Sequence, residues 1–272
     1  MDTDRIIQLV QKTRPILLDP EKKSDISEKG AADYVTAADK SVQNFLEREL
    51  AQLTPGIGLI AEEKENGTPD PKESWWILDP VDGTTNLIHD YAFSAVSLAL
   101  WEKGEVSFGV VYNPFTGELF TAVKGKGAYL GQRKLSVSGR TRLGDSLVSF
   151  GATPYRKQFA RVLFPVYQSI FEKSVDFRRG GSAALELCYV AAGRLDAYLE
   201  GDLKPWDYAA GQLIAREAGA VCRTFQGKEV PVLARADVLA CTPGLYEAFR
   251  KELGGLVIAP PAGRDSRAND NL

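Results

Sequence analysis

The stretch WWILDPVDGTTN at Trp75–Asn86 joins an apolar segment to an acidic turn. The apolar run Trp75–Leu78 predicts a buried β-strand. Two carboxylates, Asp79 and Asp82, follow it, and Pro80 between them fixes φ and removes a backbone donor. Both acidic side chains are therefore expected on a stiff turn at the end of an ordered strand.

A helix start is predicted directly after this turn. Gly83 permits close approach of the backbone, and Thr84 or Thr85 can act as the N-cap. Free N–H groups at a helix N-terminus hold anions, but two carboxylates would repel a phosphate unless cations lie between them. The segment therefore predicts a metal–phosphate site, although D-P-x-D-G alone is also typical of a simple Asx turn.

The composition is that of a soluble globular protein, with 272 residues, 44% hydrophobic content and a net charge of −3. This charge gives no indication of nucleic-acid binding. The three cysteines, Cys188, Cys222 and Cys241, are widely spaced, which disfavours a disulfide scaffold or zinc site and favours the cytoplasm. The sequence shows neither a signal peptide nor a membrane-spanning apolar run. The single histidine, His89, leaves little room for a Ser-His-Asp triad.

Several segments together carry a family resemblance. DPVDGTTN at Asp79–Asn86 and WDYAAG at Trp206–Gly211 resemble the two signatures of the inositol monophosphatase family of magnesium-dependent phosphatases. VTAAD at Val35–Asp39 is similar to the V-T-x-A-D of that family. AEE at Ala61–Glu63 matches its G-E-E except at the first position. The resembling segments span most of residues 30 to 220.

The resemblance implies a two-metal site whose ligands are all oxygen. Glu62, Asp79 and the Val81 carbonyl would hold one ion, and Asp79, Asp82 and Asp207 a second. Hard oxygen donors select Mg²⁺, with Mn²⁺ as a substitute. Two such ions clamp the attacking and leaving oxygens of an in-line displacement.

Catalytic roles also follow from the resemblance. Thr84, supported by Asp39, would orient the attacking water beside Glu62. Backbone N–H groups at Gly83 and Thr84 would receive the phosphate. From the residues alone, Asp39 is also explained as the third residue of a helix that Thr36 caps, where a negative charge suits the helix dipole.

The substrate is expected to be a phosphate monoester of a polyol. Glu200 matches the position at which relatives bond inositol hydroxyls, and further contacts are expected from Asp82, Asp207 and the backbone of Gly181, Ser182 and Ala183. Several acceptors on one wall suit a polyol, so myo-inositol 1-phosphate is the first prediction. A fructose-1,6-bisphosphatase stays open as an alternative. A nucleotide 3′-phosphatase is disfavoured because no aromatic platform stands out, and a transcription-associated binding protein is the remaining alternative.

The element pattern predicts an α+β fold, and the resemblance makes it a layered αβαβα sandwich of the sugar-phosphatase type. Residues 1–140 are expected to form an N-terminal half with an antiparallel sheet and most metal ligands. Residues 141–258 form a mixed α/β half carrying Asp207, and residues 259–272 a disordered tail.

Two further expectations concern the N-terminal segment and the assembly. An amphipathic helix is predicted over about residues 2–18. A polar surface loop follows at 21–32, and in the family the matching loop is mobile and can help hold a third ion. The resemblance also implies a homodimer that lithium inhibits.

Overall fold

The computed structural model describes residues 2–30, 32–254 and 256, so the tail predicted at 259–272 lies outside the described residues. In this part of the chain the α-helices are α1 (Thr3–Gln11), α2 (Arg14–Leu17), α3 (Pro20–Ser24), α4 (Ala37–Leu53), α5 (Thr84–Ile88), α6 (Ala160–Phe171), α7 (Ala183–Ala191), α8 (Pro205–Glu217) and α9 (Tyr246–Leu253). The strands are β1 (Ile26–Gly30), β2 (Asp33–Thr36), β3 (Gly58–Ala61), β4 (Trp75–Asp82), β5 (Ala95–Glu102), β6 (Glu105–Tyr112), β7 (Leu119–Val123), β8 (Ala128–Leu130), β9 (Arg133–Lys134), β10 (Leu147–Phe150), β11 (Asp176–Arg178), β12 (Ala197–Leu203), β13 (Val221–Arg223) and β14 (Ala236–Cys241).

Two sheets and three helical layers stack into the predicted αβαβα sandwich. Among the described residues, the first sheet has the order β3-β4-β5-β6-β7-β8-β9 and the second β11-β10-β12-β14-β13. The first is antiparallel except for the β3–β4 pair. The second is mixed. Helices α1, α2 and α4 cover the outer face of the first sheet, and α6 and α9 cover that of the second. Helices α7 and α8 fill the space between the sheets.

Small residues allow α8 to lie close against its neighbours. A Cβ built on Gly109 of β6 would lie 3.0 Å from the Ala210 carbonyl oxygen, and one on Gly211 would lie 2.8 Å from Leu187 Cβ. Such distances leave no room for a side chain at either glycine. The close packing fixes the N-terminal turn of α8, which carries Asp207.

The polar loop predicted at 21–32 was wrong. The structure has the short helix α3 and then a hairpin, in which Ile26 of β1 pairs with Thr36 of β2. Because β1 is almost wholly exposed, its sequence carries no alternation of apolar and polar residues that would reveal a strand. The helix predicted at 2–18 is also divided in two, and the Thr13 hydroxyl bonds the Val10 carbonyl at the break.

Candidate active site

A cavity of about 320 Å³ opens between residues of the first and second sheets. Most residues predicted for the site line it, namely Glu62, Asp79, Val81, Asp82, Gly83, Thr84, Gly181, Ala183, Glu200 and Asp207. Asp39 and Ser182 are fully buried and lie behind this wall. Residues far apart in the sequence are thus brought to one cavity.

A β-bulge explains why Asp79 and Asp82 both face the cavity. Strand β4 continues through both aspartates, beyond the predicted end at Leu78. Asp79 pairs with Ser97, whereas Asp82 pairs with Ala95, so β4 has an extra residue between the two pairs. Residues three apart on a regular strand point to opposite faces, and a bulge turns them to the same side.

Backbone N–H groups hold one oxygen each of Asp79 and Asp207. Asp79 Oδ1 accepts the Val81 N–H at 2.9 Å. Asp207 Oδ2 accepts the Lys204 N–H at 2.7 Å, at the start of α8. The second oxygen of each carboxylate has no hydrogen bond to any described residue, so it is available to a ligand in the cavity.

Asp82 joins the two halves of the molecule. Its Oδ2 atom accepts the Ser182 hydroxyl at 2.6 Å and the Ala184 N–H at 2.7 Å. Ser182 is the N-cap of α7. Its hydroxyl therefore supports Asp82, and the substrate contact predicted for its backbone stays a prediction.

The helix start after the acidic turn differs from the prediction. Gly83, at φ +93°, is the N-cap of α5, so neither Thr84 nor Thr85 takes that role. The Thr84 hydroxyl instead lies 2.9 Å from Asp39 Oδ1 and 3.1 Å from the Val81 carbonyl oxygen. The contact between Thr84 and Asp39 that the resemblance implied is present.

Asp39 combines this contact with a capping role. Thr36 caps α4, and its backbone N–H donates to Asp39 Oδ2 at 2.9 Å. The Thr36 hydroxyl donates to the same oxygen at 2.5 Å. Burial raises the pKa of Asp39 above its ordinary value, while these hydrogen bonds oppose the rise. The capping explanation and the supporting contact to Thr84 therefore hold together.

Lys29 of β1 is a site neighbour that the sequence did not reveal. Its ammonium lies 2.6 Å from Glu63 Oε1, 3.5 Å from Glu62 Oε1 and 3.8 Å from Asp33 Oδ1. Burial lowers the pKa of Lys29, but the carboxylates outweigh this effect and raise it. The hairpin thus brings a fixed positive charge to the edge of the acidic cavity.

The cavity carboxylates perturb one another strongly. Burial, and then repulsion by Glu62, Asp82 and Asp207, holds the pKa of Asp79 well above its usual range. Burial raises the pKa of Asp82 to about 7, and burial followed by Glu62 and Asp82 raises that of Asp207. Bound cations would relieve this repulsion.

The donor chemistry fits Mg²⁺, because every predicted ligand is oxygen. Across residues 2–30, 32–254 and 256, however, no three His, Cys, Asp or Glu side chains are already arranged to hold one ion. The carboxylates would have to turn toward the metal, using the oxygens of Asp79 and Asp207 that the protein leaves without a hydrogen bond.

Glu200 lies within β12 and faces the cavity, but the protein already bonds both its oxygens. Oε1 accepts the Thr153 N–H at 3.0 Å, and Oε2 accepts the Tyr198 hydroxyl. Gly151 makes room for it, since a Cβ there would lie 1.9 Å from Glu200 Cδ. Burial raises the pKa of Glu200. Gly151 was missed because only the three-dimensional contact reveals its role.

Aromatic and basic side chains line the cavity beside the carboxylates. Tyr34 and Tyr155 are exposed by 36% and 39%, and Lys157 and Arg179 are also exposed. The sequence suggested no aromatic platform here, because these residues lie outside every motif. The structure corrects that expectation.

Comparison with known proteins identifies a family match over most of the chain. The sequence model that describes the inositol monophosphatase family matches residues 3–257 of this chain. The Nus factor SuhB of Vibrio cholerae is 40% identical over 236 residues, covering 87% of this chain and 88% of that protein. The inositol-1-monophosphatase of Mesorhizobium japonicum is 39% identical over 226 residues, covering 83% and 85%.

Solved structures share the fold. The extragenic suppressor protein suhB of Bartonella henselae superposes with a TM-score of 0.85 at 33% identity, covering 94% of this chain and 99% of that one. An IMPase/NADP phosphatase complexed with Mg²⁺ and phosphate gives 0.83 at 27% identity, covering 93% and 95%. The chain therefore belongs to the inositol monophosphatase family and is a hydrolase of phosphate monoesters.

Proposed function

We propose that this protein hydrolyses myo-inositol 1-phosphate to myo-inositol and phosphate with Mg²⁺. The observation that carries the proposal is the single cavity that Asp79, Asp82, Asp207 and Glu200 line together. In this proposal the three aspartates hold metal ions, and Glu200 accepts hydrogen bonds from the hydroxyls of the polyol. The M. japonicum relative is named for this activity, and another relative binds Mg²⁺ and phosphate.

The metal ligands in this proposal are Glu62, Asp79, Asp82, Asp207 and the Val81 carbonyl. Two Mg²⁺ ions, or Mn²⁺ in their place, would supply the positive charge that stabilises the attacking and leaving oxygens. The carboxylates contribute by lying in one buried cavity, where charge interactions are stronger than in water.

Thr84, Asp39 and Glu62 orient the attacking water. The Thr84 hydroxyl donates to Asp39 Oδ1 at 2.9 Å, so its lone pairs are free to accept a hydrogen bond from the water. Glu62 lines the same cavity and is a second acceptor. The water oxygen forms the new P–O bond as the bond to the alcohol oxygen breaks. Glu62 takes the proton that the water loses, and the departing alcohol oxygen takes up a proton from solvent. The N–H groups of Gly83 and Thr84 bind the phosphate.

The alcohol is bound by the second half of the chain. Glu200 and the backbone of Gly181 and Ala183 line the cavity there. A carboxylate has about four acceptor positions, so Glu200 can accept substrate hydroxyls while keeping its bonds to Thr153 and Tyr198. Polar contacts of this kind suit a polyol.

A nucleotide phosphatase is the second candidate. Tyr34 and Tyr155 give the cavity aromatic surface on which a base can stack. Lys157 and Arg179 also line the cavity, and their positive charges would pair with a second phosphate group. Fructose 1,6-bisphosphate, which has two phosphates, is therefore a further candidate substrate. The names of the SuhB relatives add a transcription-associated role as a further alternative.

We also propose a homodimer. Phe164 and Phe171 of α6 and Val175 and Phe177 beside them are all exposed, and β11 is the edge strand of its sheet. A two-fold pairing of β11 with its copy, centred on Phe177, would place each Asp176 opposite an Arg178. This interface is self-complementary in charge and buries an apolar patch.

The three cysteines are buried and unpaired, which fits the reducing cytoplasm as the location. Of the helices that the structure describes, none has both the length and the apolar composition needed to cross a bilayer.

A substrate panel tests the proposed function. Phosphate release would be measured with Mg²⁺ on myo-inositol 1-phosphate, fructose 1,6-bisphosphate, adenosine 2′- and 3′-monophosphates and p-nitrophenyl phosphate. We expect the highest kcat/KM with inositol phosphate. A preference of tenfold or more for either adenosine phosphate would replace the assignment with the nucleotide candidate.

The Glu200→Gln variant, measured on two substrates of the panel, tests the contact to the polyol. A charged acceptor for a hydroxyl is worth roughly 1.5–3 kcal/mol, so kcat/KM for inositol 1-phosphate is expected to fall about ten- to hundredfold. Hydrolysis of p-nitrophenyl phosphate, which has no such hydroxyls, should barely change. The matched control is Glu172→Gln, an exposed residue at the end of α6. Equal losses on both substrates would contradict the polyol contact.

A further inference from the structure

Side chains hold Gly180 at both its backbone N–H and its carbonyl. Its N–H donates to Glu186 Oε1 at 2.5 Å, and its carbonyl accepts the Asn86 Nδ2–H at 2.8 Å. Asn86 also donates to the Phe93 carbonyl at 2.7 Å. Gly181, the next residue, lines the cavity. One residue from each half of the chain thus fixes the peptide that precedes the cavity wall.

Glu186 is a buried carboxyl with no contact to the cavity. It lies on α7, is only 2% exposed, and accepts the hydroxyl of the fully buried Ser149 at 2.6 Å. Ser149 lies 3.0 Å from the Arg178 carbonyl oxygen. Burying an acidic side chain is costly unless hydrogen bonds satisfy it. Glu186 accepts hydrogen bonds from the Gly180 N–H and from Ser149, whose hydroxyl also contacts the Arg178 carbonyl, so its contacts are with the backbone around residues 178–180.

Steric contacts also restrict the backbone at Gly180 and Gly181. A Cβ on Gly180 would lie 2.4 Å from Phe93 Cε1 and 2.9 Å from Glu186 Oε1. Gly181 has φ +85°, a conformation that few other residues adopt. The segment therefore has one position in which its hydrogen bonds are satisfied and its contacts are allowed.

We propose that Glu186 is a positioning residue for substrate binding, acting through Gly180. Together with Asn86 it fixes the peptide from which Gly181 and Ala183 present their backbone to the alcohol part of the substrate. This inference rests on the proposed function. Without the carboxyl, the Gly180 N–H lacks its acceptor and the wall shifts, which weakens binding of the alcohol.

Three variants separate positioning from general stability. Glu186→Ala removes the acceptor, and Glu186→Gln keeps one. Asp196→Ala is the matched control, because Asp196 is also buried and also accepts a backbone N–H, that of Leu147, at 2.7 Å, but it precedes β12 and does not line the cavity.

Steady-state kinetics on myo-inositol 1-phosphate give the first measurement. We expect Glu186→Ala to raise KM about tenfold, the effect of one lost buried hydrogen bond, with kcat within about twofold of the wild type. Glu186→Gln should restore KM, and Asp196→Ala should leave it unchanged while lowering the melting temperature. A rise in KM that is equal in Glu186→Ala and Asp196→Ala would overturn the inference.

Hydrogen exchange tests the same contact without any substrate. The Gly180 amide should exchange at least tenfold faster in Glu186→Ala than in the wild type, and at about the wild-type rate in Glu186→Gln and Asp196→Ala. An unchanged rate in Glu186→Ala would refute the role of Glu186. If the wild type hydrolysed no polyol phosphate, the proposed function would fail, whereas exchange would still decide whether Glu186 holds Gly180.

Discussion

Gly151→Ala should displace Glu200 from the wall of the cavity. The added Cβ would lie 1.9 Å from both Cδ and Oε2 of Glu200 and 2.4 Å from its Cγ. Carbon atoms in contact are separated by roughly 3.5–4.0 Å, so the carboxylate must retreat by about 1.5–2 Å. It cannot do so and keep its bonds to Thr153 and Tyr198, because the Thr153 bond is already 3.0 Å long.

The expected cost has two parts. Overpacking a filled site costs about 1–3 kcal/mol. Leaving the buried Thr153 N–H or Tyr198 hydroxyl without an acceptor adds about 1–3 kcal/mol. The free energy of unfolding should therefore fall by roughly 2–6 kcal/mol, and the KM for a polyol phosphate should rise.

Urea denaturation and steady-state kinetics measure the two effects. Gly139→Ala is the matched control, because a Cβ at Gly139 meets no atom within 4 Å and should change neither quantity. The reasoning would be refuted if Gly151→Ala stayed within about 0.5 kcal/mol of the wild type, the usual range of a neutral surface change, and kept its KM.

Three further outcomes are expected. Thr84→Val removes the hydroxyl bonded to Asp39 and should lower kcat about 10²–10⁴-fold, whereas Thr84→Ser should keep most activity; equal kcat values for both would contradict this. Burial raises the pKa of Glu186 to about 8 from an ordinary 4.5, so its contribution to folding is complete below pH 4.5 and is lost as pH rises through 8. Stability in urea should therefore fall as pH rises from about 5 to 8, and less so in Glu186→Gln; an identical slope would exclude this origin. Phe177→Asp should give monomers by light scattering, and an unchanged mass would exclude the β11 interface.

The sandwich was predicted from the family resemblance, whereas the element pattern by itself predicted an α+β fold. The apolar run at Trp75–Leu78 marked the start of β4, although the strand extends to Asp82. The hairpin of β1 and β2 was missed because its stability comes from pairing and not from a buried face. The division at residues 140 and 141 stays a prediction, since α7 and α8 pack against the first sheet.

Most acidic residues of the site were predicted because four short segments that resemble the family motifs carry them. Their orientation was not, because it depends on a β-bulge after Asp79 and on the bond between Ser182 and Asp82. Lys29, Gly151 and Glu186 belong to no motif. Contacts between residues distant in sequence define their roles, and no local pattern records such contacts.

Dependence of turnover on Mg²⁺ tests the central claim most directly. Phosphate release from myo-inositol 1-phosphate would be titrated with Mg²⁺ for the wild type and for Asp79→Asn. Because burial and repulsion already disfavour the charge on Asp79, the neutral variant should fold normally. We expect saturable activation of the wild type and a loss of at least a thousandfold in Asp79→Asn, or about 4 kcal/mol of transition-state stabilisation. Near-normal activity of Asp79→Asn, or wild-type turnover that persists in EDTA, would contradict the account.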